Sequence, residues 1–315
     1  MRGGIDLGGT KIEAIVLQGE DRVAAQARRV TPVSGGPPAI AAEMVALLAE
    51  VAAGAGVELA ELDGVGVGSP GTVDREAGTV ANAGNLSEWD KPFPLASTLA
   101  EKLGTRVELG NDVGVAVDAE AALGAGRSRG SFLGLWWGTG IGGAVVIGGK
   151  RWLGRGGAGE IGHTVVRIGG ARCPCGRRGC LEAYAGRNAM QQRARRAERK
   201  GVDTELFRIM RKKGHIRLTS GVWEEALERG DELATRLIDR AIAALGAGAA
   251  SAVNLLDVEA VVIGGGLGTR FGDVAVERVT EAMQPHLFRP DTPPAVCSAE
   301  LGDLGGAIGA ARLIT

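Results

Sequence analysis

Residues 160–182 read EIGHTVVRIGGARCPCGRRGCLE. One histidine and three of the chain's four cysteines stand here between two glutamates, at the spacing His163-x9-Cys173-x-Cys175-x4-Cys180. Three thiolates and one imidazole suit tetrahedral Zn2+ in a closed site with no position left for water. A disulfide is the rival reading, but Cys173 and Cys175 are poorly placed to pair with each other, and redox-active pairs are usually CxxC. Zinc is the expected occupant. Glu160, His163 and Glu182 are further polar groups without obvious structural work.

Working outward, the segment before this one, SFLGLWWGTGIGGAVVIGGK (131–150), reads as a strand, a glycine turn and a second strand. The N-terminal stretch GGIDLGGTKIEAIVLQGEDRVAAQARRV (3–30) reads as three short strands with turns near Gly8–Gly9 and Gly19–Asp21. PPAIAAEMVALLAEV (37–51) is helical, with prolines in its first turn. LDGVGVGSPGTVD (62–74) is a buried strand running into a loop, KPFPLASTLAEKLG (91–104) a helix, and TRVELGND (105–112) a strand with a polar tip. VAVDAEAALGAG (115–126) continues as a helix, residues 187–250 are charged, alanine-rich and helical in period, and the tail supplies one more strand, VEAVVIGGGLG (258–268), and a last helix after LGDLGG. Strands alternating with helices indicate an α/β protein. No linker is obvious, so the domain boundary is expected within the helix near Asp118.

The 53 glycines cluster in short runs between apolar segments, which excludes a collagen-like repeat. Such runs let backbone N–H groups approach a ligand closely. In DLGGTK (6–11) a strand ending at Asp6 turns through Gly8 and Gly9 to present the Thr10 hydroxyl and the Lys11 ammonium, a set suited to a terminal phosphate. WGTGIGG (137–143) repeats the design after another strand, and GGGLG (264–268) adds a third glycine loop. A β-hairpin turn explains any one of them; three together point to a phosphate-rich ligand. The two GxGxxG matches, GVGSPG and GTGIGG, are weak dinucleotide signals, and the first leads into Thr-Val-Asp rather than a helix. GND (110–112) sets an amide and a carboxylate at the end of an apolar strand, which is also ordinary turn chemistry.

Lys+Arg number 36 against 37 Asp+Glu, for a formal charge of −1, a poor electrostatic footprint for a nucleic-acid partner. The basic run QQRARRAERK (191–200), with RKK at 211–213, reads as a solvated helix face. There is no signal-peptide pattern and no stretch expected to span a membrane, and the cysteine usage is unlike a secreted framework; the expected location is the cytoplasm. Cys297 reads as a small buried hydrophobe.

In order along the chain, DLGGTK, GVGSPGTVD, GND, GTGIGG, EIGH, CPCGRRGCLEAYAG and GGGLG resemble the ROK family, the grouping of repressors, open reading frames and sugar kinases that includes bacterial glucokinases. EIGH followed by CxCGxxGCxE is the specific part. The resemblance implies a two-domain actin-like (ribonuclease-H-like) α/β fold with an inter-domain cleft. Residues 1–117, completed by a C-terminal helix at 303–315, would form the small domain, and 118–302 the large domain with the zinc loop. It implies ATP with Mg2+, held by Gly8, Gly9, Thr10 and Lys11, by Gly138, Thr139 and Gly140, and by Gly265 and Gly266. By motif position Asp112 corresponds to the catalytic base, and Asn111, Glu160, His163 and Glu182 to ligands of sugar hydroxyls, with Gly71 and Asn85 in the loops that complete the sugar pocket. His163, Cys173, Cys175 and Cys180 match the zinc ligands. Zinc would then pin a loop otherwise floppy and position Glu160 and Glu182.

The resemblance implies a cytoplasmic, homo-oligomeric (dimeric or tetrameric) glucokinase of carbohydrate metabolism and glycolysis, with sugar and ATP as its small-molecule partners and no nucleic acid or membrane partner. Kinases for N-acetylmannosamine, fructose, mannose or a cyclitol are alternatives, as is polyphosphate as donor. A sugar-sensing repressor would need a helix-turn-helix ahead of DLGGT, where five residues precede Asp6, and the intact Asp112 favours an enzyme. Two departures from the family pattern are Gly114, where a second Asn is usual, and Trp136 and Trp137 before GTGIGG.

Overall fold

A computed structural model describes residues 1–315, which divide into two compact units, Met1–Gly124 with Asp303–Thr315, and Ala125–Gly302. In chain order the elements of the first unit are β1 (Arg2–Leu7), β2 (Lys11–Gln18), β3 (Arg22–Val30), α1 (Gly36–Gly54), β4 (Val65–Ser69), β5 (Thr72–Asp74), β6 (Thr79–Ala81), α2 (Leu95–Leu103), β7 (Val107–Asn111) and α3 (Asp112–Leu123). The second unit contains β8 (Ser131–Trp137), β9 (Ile141–Ile147), β10 (Lys150–Trp152), α4 (Glu182–Ala185), α5 (Arg187–Glu198), α6 (Glu205–Lys212), α7 (Ser220–Glu228), α8 (Glu232–Leu256), β11 (Ala260–Gly264), α9 (Gly265–Met283) and β12 (Ala295–Ser298). The last helix, α10 (Gly305–Ala311), belongs to the first unit.

Each unit is built on one five-stranded sheet, ordered β3-β2-β1-β4-β7 in the first and β10-β9-β8-β11-β12 in the second. In both, three antiparallel strands joined by tight turns continue into two parallel strands reached by crossovers. The two units thus repeat one topology, although no sequence repeat announces it. The pairing Leu7↔Ile12 leaves Gly8–Lys11 as the first turn, and Trp137↔Ile141 leaves Gly138–Gly140 as its counterpart. Both glycine turns therefore sit at the same place in their sheets.

Helix α1 packs Ile40, Met44, Leu47, Leu48 and Val51 onto the first sheet. Its 19 residues are long and apolar enough to cross a membrane, contrary to expectation. These buried side chains identify it instead as a core helix, whose alanines and leucines serve the sheet. Helix α10, GGAIGAA, is wholly buried in the same unit for a different reason. A Cβ on Gly66 of β4 would lie 1.7 Å from the Ala310 carbonyl oxygen, and one on Gly309 1.8 Å from the Val115 carbonyl oxygen. Backbone meets backbone here, so neither glycine tolerates a side chain. Gly66→Ala is accordingly expected to destabilise the protein by about 1–3 kcal/mol or more, the cost of overpacking against atoms that cannot rotate away. A denaturant midpoint equal to wild type would contradict that packing.

Several details depart from expectation. The boundary falls after α3, at Gly124, rather than near Asp118, because a helix packed along its whole length moves with one core. β5 and β6 form a small separate hairpin where a loop was expected, β10 extends the second sheet, and β12 adds a strand to the tail. Cys297 is half-buried on β12, not in the core. On α5 the basic face is partly anchored: the Arg193 guanidinium lies 5.3 Å from the Tyr184 ring centroid, and that of Arg195 5.6 Å from Phe207.

Candidate functional site

In the first unit β7 ends at Asn111 and α3 begins at Asp112. Asn111 caps the helix, its Oδ1 accepting from the Gly114 N–H at 2.9 Å. Its Nδ2 donates to Asp112 Oδ1 at 3.1 Å, and the Val113 N–H donates to the same oxygen at 2.9 Å. The Asp112 carboxylate is thus held in one orientation at the helix N-terminus, where the dipole favours negative charge. Gly114, the departure noted above, contributes only its amide to this cap and is buried.

Beside Asp112, on the neighbouring strand β4, Gly68 has no side chain. A Cβ there would lie 2.8 Å from Val115 Cγ2, 3.4 Å from Asp112 Cα and 3.8 Å from Asp6 Oδ1. The bare backbone leaves Asp6 and Asp112 near each other. Burial pushes the Asp6 carboxyl up to about 7, and the Asp112 carboxylate pushes in the same direction, while Lys11 opposes them. Two approaching carboxylates are oxygen donors of the kind a hard divalent cation takes, so Asp6 and Asp112 fit Mg2+. Lys11 is not an idle ammonium, for its Nζ lies 3.0 Å from Glu13 and 2.9 Å from Asp303. Burial alone would lower its pKa, but these two carboxylates more than offset that and raise it.

The turn itself is closed by the Gly8 N–H donating to the Lys11 carbonyl at 2.9 Å, with Thr10 exposed at its tip. A Cβ on Gly9 would lie 2.9 Å from Asn85 Nδ2, so the two expected ligand loops of this unit touch. Gly71, at φ +88°, lies beside β6, where a Cβ would meet the Ala81 carbonyl oxygen at 2.4 Å.

In the second unit His163, Cys173, Cys175 and Cys180 offer ligand atoms that all lie within 4.8 Å of one another. Residues separated by up to 17 positions in sequence converge on one point, and three sulfurs with one ring nitrogen fit Zn2+. His163 Nδ1 faces the Cys173 sulfur at 3.8 Å, while Glu160 stands exposed at the start of the single turn Ile161–His163. Glu182, two residues beyond Cys180, accepts from the Ile141 N–H at 2.9 Å and has an oxygen 4.0 Å from the Cys173 sulfur. A Cβ on Gly140 would lie 2.2 Å from that carboxylate, so this glycine is what admits Glu182 to the Gly138–Gly140 turn. The metal loop and the glycine hairpin are thereby joined through one side chain.

The third glycine loop lies beside the second. Gly265 has φ +80°, and a Cβ there would be 2.8 Å from the Trp137 carbonyl oxygen. Trp137 is fully buried with its indole N–H donating to the Ala185 carbonyl at 2.8 Å, and the Trp136 ring packs on Gly264. Both tryptophans thus brace the glycine loops. Arg187, which belongs to none of the sequence motifs, donates through Nη2 to Thr139 Oγ1 at 2.8 Å and through Nη1 to Ser220 Oγ at 3.1 Å.

Residues 2–315 match the family model described as the ROK family. A glucokinase of Thermotoga maritima is 33% identical over 316 residues, covering 99% of this chain and 96% of that one. Among solved structures, a ROK family glucokinase from Streptomyces griseus in complex with glucose and AMPPNP superposes with TM-score 0.83 at 31% identity, over 99% of this chain and 98% of that one. A ROK hexokinase from Thermus thermophilus gives TM-score 0.77 at 34% identity, over 98% and 96%.

Proposed function

The chain belongs to the ROK family, and on that footing we propose that it is an ATP-dependent hexose kinase that phosphorylates glucose at its 6-hydroxyl. The observation that carries this reading is the pinned carboxylate of Asp112, oriented by the Val113 N–H and the Asn111 amide at the mouth of a helix. An intact Asp112 favours an enzyme over a repressor. Likeness to glucokinases along the whole chain supports glucose as acceptor.

Asp112 takes the proton of the attacking 6-hydroxyl as its oxygen bonds the γ-phosphorus and the phosphoanhydride bond to ADP breaks, ADP leaving with that electron pair. In the first unit Asn111 and the loops of Gly71 and Asn85, and in the second Glu160, His163 and Glu182, supply the groups for other sugar hydroxyls. In the first unit the backbone N–H groups of Gly9 and Thr10, and in the second those of Thr139, Gly140, Gly265 and Gly266, are the donors for phosphate oxygens, where fixed dipoles stabilise charge without reorganising. Lys11 reaches a phosphate by giving up one of its two carboxylate partners. Asp6 and Asp112 are the carboxylates that would hold Mg2+, which would supply neutralisation of phosphate charge. His163, Cys173, Cys175 and Cys180 would hold Zn2+, whose part would be structural, keeping His163 and Glu182 in place.

A coupled ADP-release assay over glucose, mannose, fructose, N-acetylmannosamine and a cyclitol tests this reading. Glucose is expected to give the highest kcat/KM, and 2-deoxyglucose to fall well below it, because a polar site left unpaired rejects the analogue that lacks a hydroxyl. Another acceptor winning by more than about tenfold, roughly 1.4 kcal/mol of transition-state preference, would overturn glucose while leaving the kinase standing. No ADP release with any acceptor would overturn the kinase itself.

A further inference from the structure

Arg187 stands at the first position of α5, inside the second unit, and its surroundings are unusual for a cation. It is partly buried, yet no carboxylate pairs with it. The guanidinium donates only to two neutral hydroxyls, Thr139 at 2.8 Å and Ser220 at 3.1 Å. Burial first, and the cation of Arg217 second, hold its pKa below the ordinary arginine value. A guanidinium does not lose its proton in a protein, so it stays charged here with five donors and no anion to satisfy them.

The position explains what the missing anion is. The backbone of Arg187 is fixed to the second glycine turn by its N–H donating to the Gly138 carbonyl at 3.1 Å, and Asn188 does the same to Thr139 at 3.1 Å. Its side chain reaches the third loop as well. A Cβ on Gly266 would lie 3.3 Å from Ser220 Oγ and 3.9 Å from Arg187 Nη1. A Cβ on Gly138 would in turn stand 3.8 Å from the Gly266 nitrogen. One unpaired cation therefore spans the junction of two loops whose glycines leave backbone uncovered. Some arginines of the chain take carboxylates, as Arg29 does with Glu43 and Glu50, and others donate to backbone carbonyls, as Arg106 does to Asp63 and Thr315; Arg187 does neither, and it stands against two glycine loops. That leaves the place to a ligand.

We propose that Arg187 binds the phosphoanhydride of the phosphoryl donor, with Thr139 and Ser220 holding its planar fork toward that anion. This rests on the kinase reading and adds to it a donor-binding residue that the glycine motifs do not contain. The fork geometry matters, because a guanidinium grips phosphate oxygens in pairs whereas an ammonium offers a point charge.

The test is calorimetric binding of adenosine, AMP, ADP and inorganic tripolyphosphate to the full-length zinc-loaded protein, wild type and Arg187→Gln, alongside KM for ATP and for glucose. In Arg187→Gln the ADP and tripolyphosphate affinities should fall at least about tenfold, adenosine binding should stay within about twofold, and KM for glucose should hold while KM for ATP rises. Arg187→Lys should recover part of the ADP affinity and decides by the same ratios if the Gln variant does not fold. Equal weakening of adenosine and ADP would mean that Arg187 only shapes the loops, and unchanged ADP affinity would mean that it does not meet phosphate; either overturns the proposal. Loss confined to tripolyphosphate would make the site one for inorganic polyphosphate and overturn the nucleotide arm. Wild-type protein that binds none of these would instead defeat the kinase reading, a result the variants cannot mimic.

Discussion

Replacing Asp112 with Asn is expected to lower kcat by about 10²–10⁴-fold, the usual worth of a positioned general base, while glucose binding largely survives. The substitution is almost isosteric. Its carbonyl oxygen can still accept from the Val113 N–H as Asp112 Oδ1 does at 2.9 Å, and Asn111 still caps α3 through the Gly114 N–H. Local structure should therefore persist, and a thermal midpoint near wild type would verify it. What an amide cannot do is take up the hydroxyl proton. Loss of a charge also alters Asp6, whose carboxyl is pushed up to about 7 by burial and, next, by the Asp112 carboxylate. With the neighbour neutral, Asp6 should ionise at lower pH. The residual pH profile of the variant should thus lack the wild-type base limb rather than merely shift along it. A variant retaining more than about a tenth of wild-type kcat would remove Asp112 from the role of base.

Stripping the metal should have the next largest effect. Four ligand atoms within 4.8 Å of one another predict one tightly held Zn2+ per chain, measurable by elemental analysis of protein purified without added metal. Metal affinity in such a site is folding energy for the segment that supplies it. Without the ion the loop from His163 to Cys180 loses its anchor, and Glu182, two residues on, loses its placement against Gly140 and Ile141. A displacement of about 1 Å in a positioning group can cost on the order of 10²-fold in rate. Cys175→Ala should accordingly bind little zinc, show early proteolytic cleavage between residues 163 and 180, and lose about that factor in kcat/KM for glucose. Active enzyme with zinc stoichiometry near zero, or a Cys175→Ala variant with unaltered stability and rate, would defeat the assignment.

Both sites were legible because their chemistry is written in short, local spacings. CPCGRRGC brings three sulfurs together within eight residues, and DLGGTK and GTGIGG each lie within a single hairpin turn. The cap at Asn111 was legible as a polar tip for the same reason. What escaped detection is set by distant partners. Arg187 owes its meaning to Ser220 and Thr139, 33 and 48 positions away, and looks in sequence like the first residue of a basic helix. The ion pairs that occupy Lys11 depend on Asp303, nearly the whole chain away. Strand β12, AVCS, is four residues long and exists as a strand only because β11 lies alongside it in parallel. The repeated sheet order of the two units left no trace in residue identity, since hydrogen-bonding topology constrains burial pattern far more than side-chain type.

The placement of α10 has a consequence in time. Its backbone closes over Gly4 and Gly66 of the first sheet and against Val115 of α3, yet it is encoded after the whole of the second unit. Between Gly124 and Gly305, where α10 begins, lie 180 residues. At a synthesis rate of about 5–20 residues per second, their translation occupies on the order of 10–40 s. Throughout that interval the emerged N-terminal segment carries a sheet with one glycine-lined face uncovered, while the inserted unit, continuous from Ala125 to Gly302, has everything its own core requires. Of the two units, the one whose synthesis begins earlier is the one whose core is completed later.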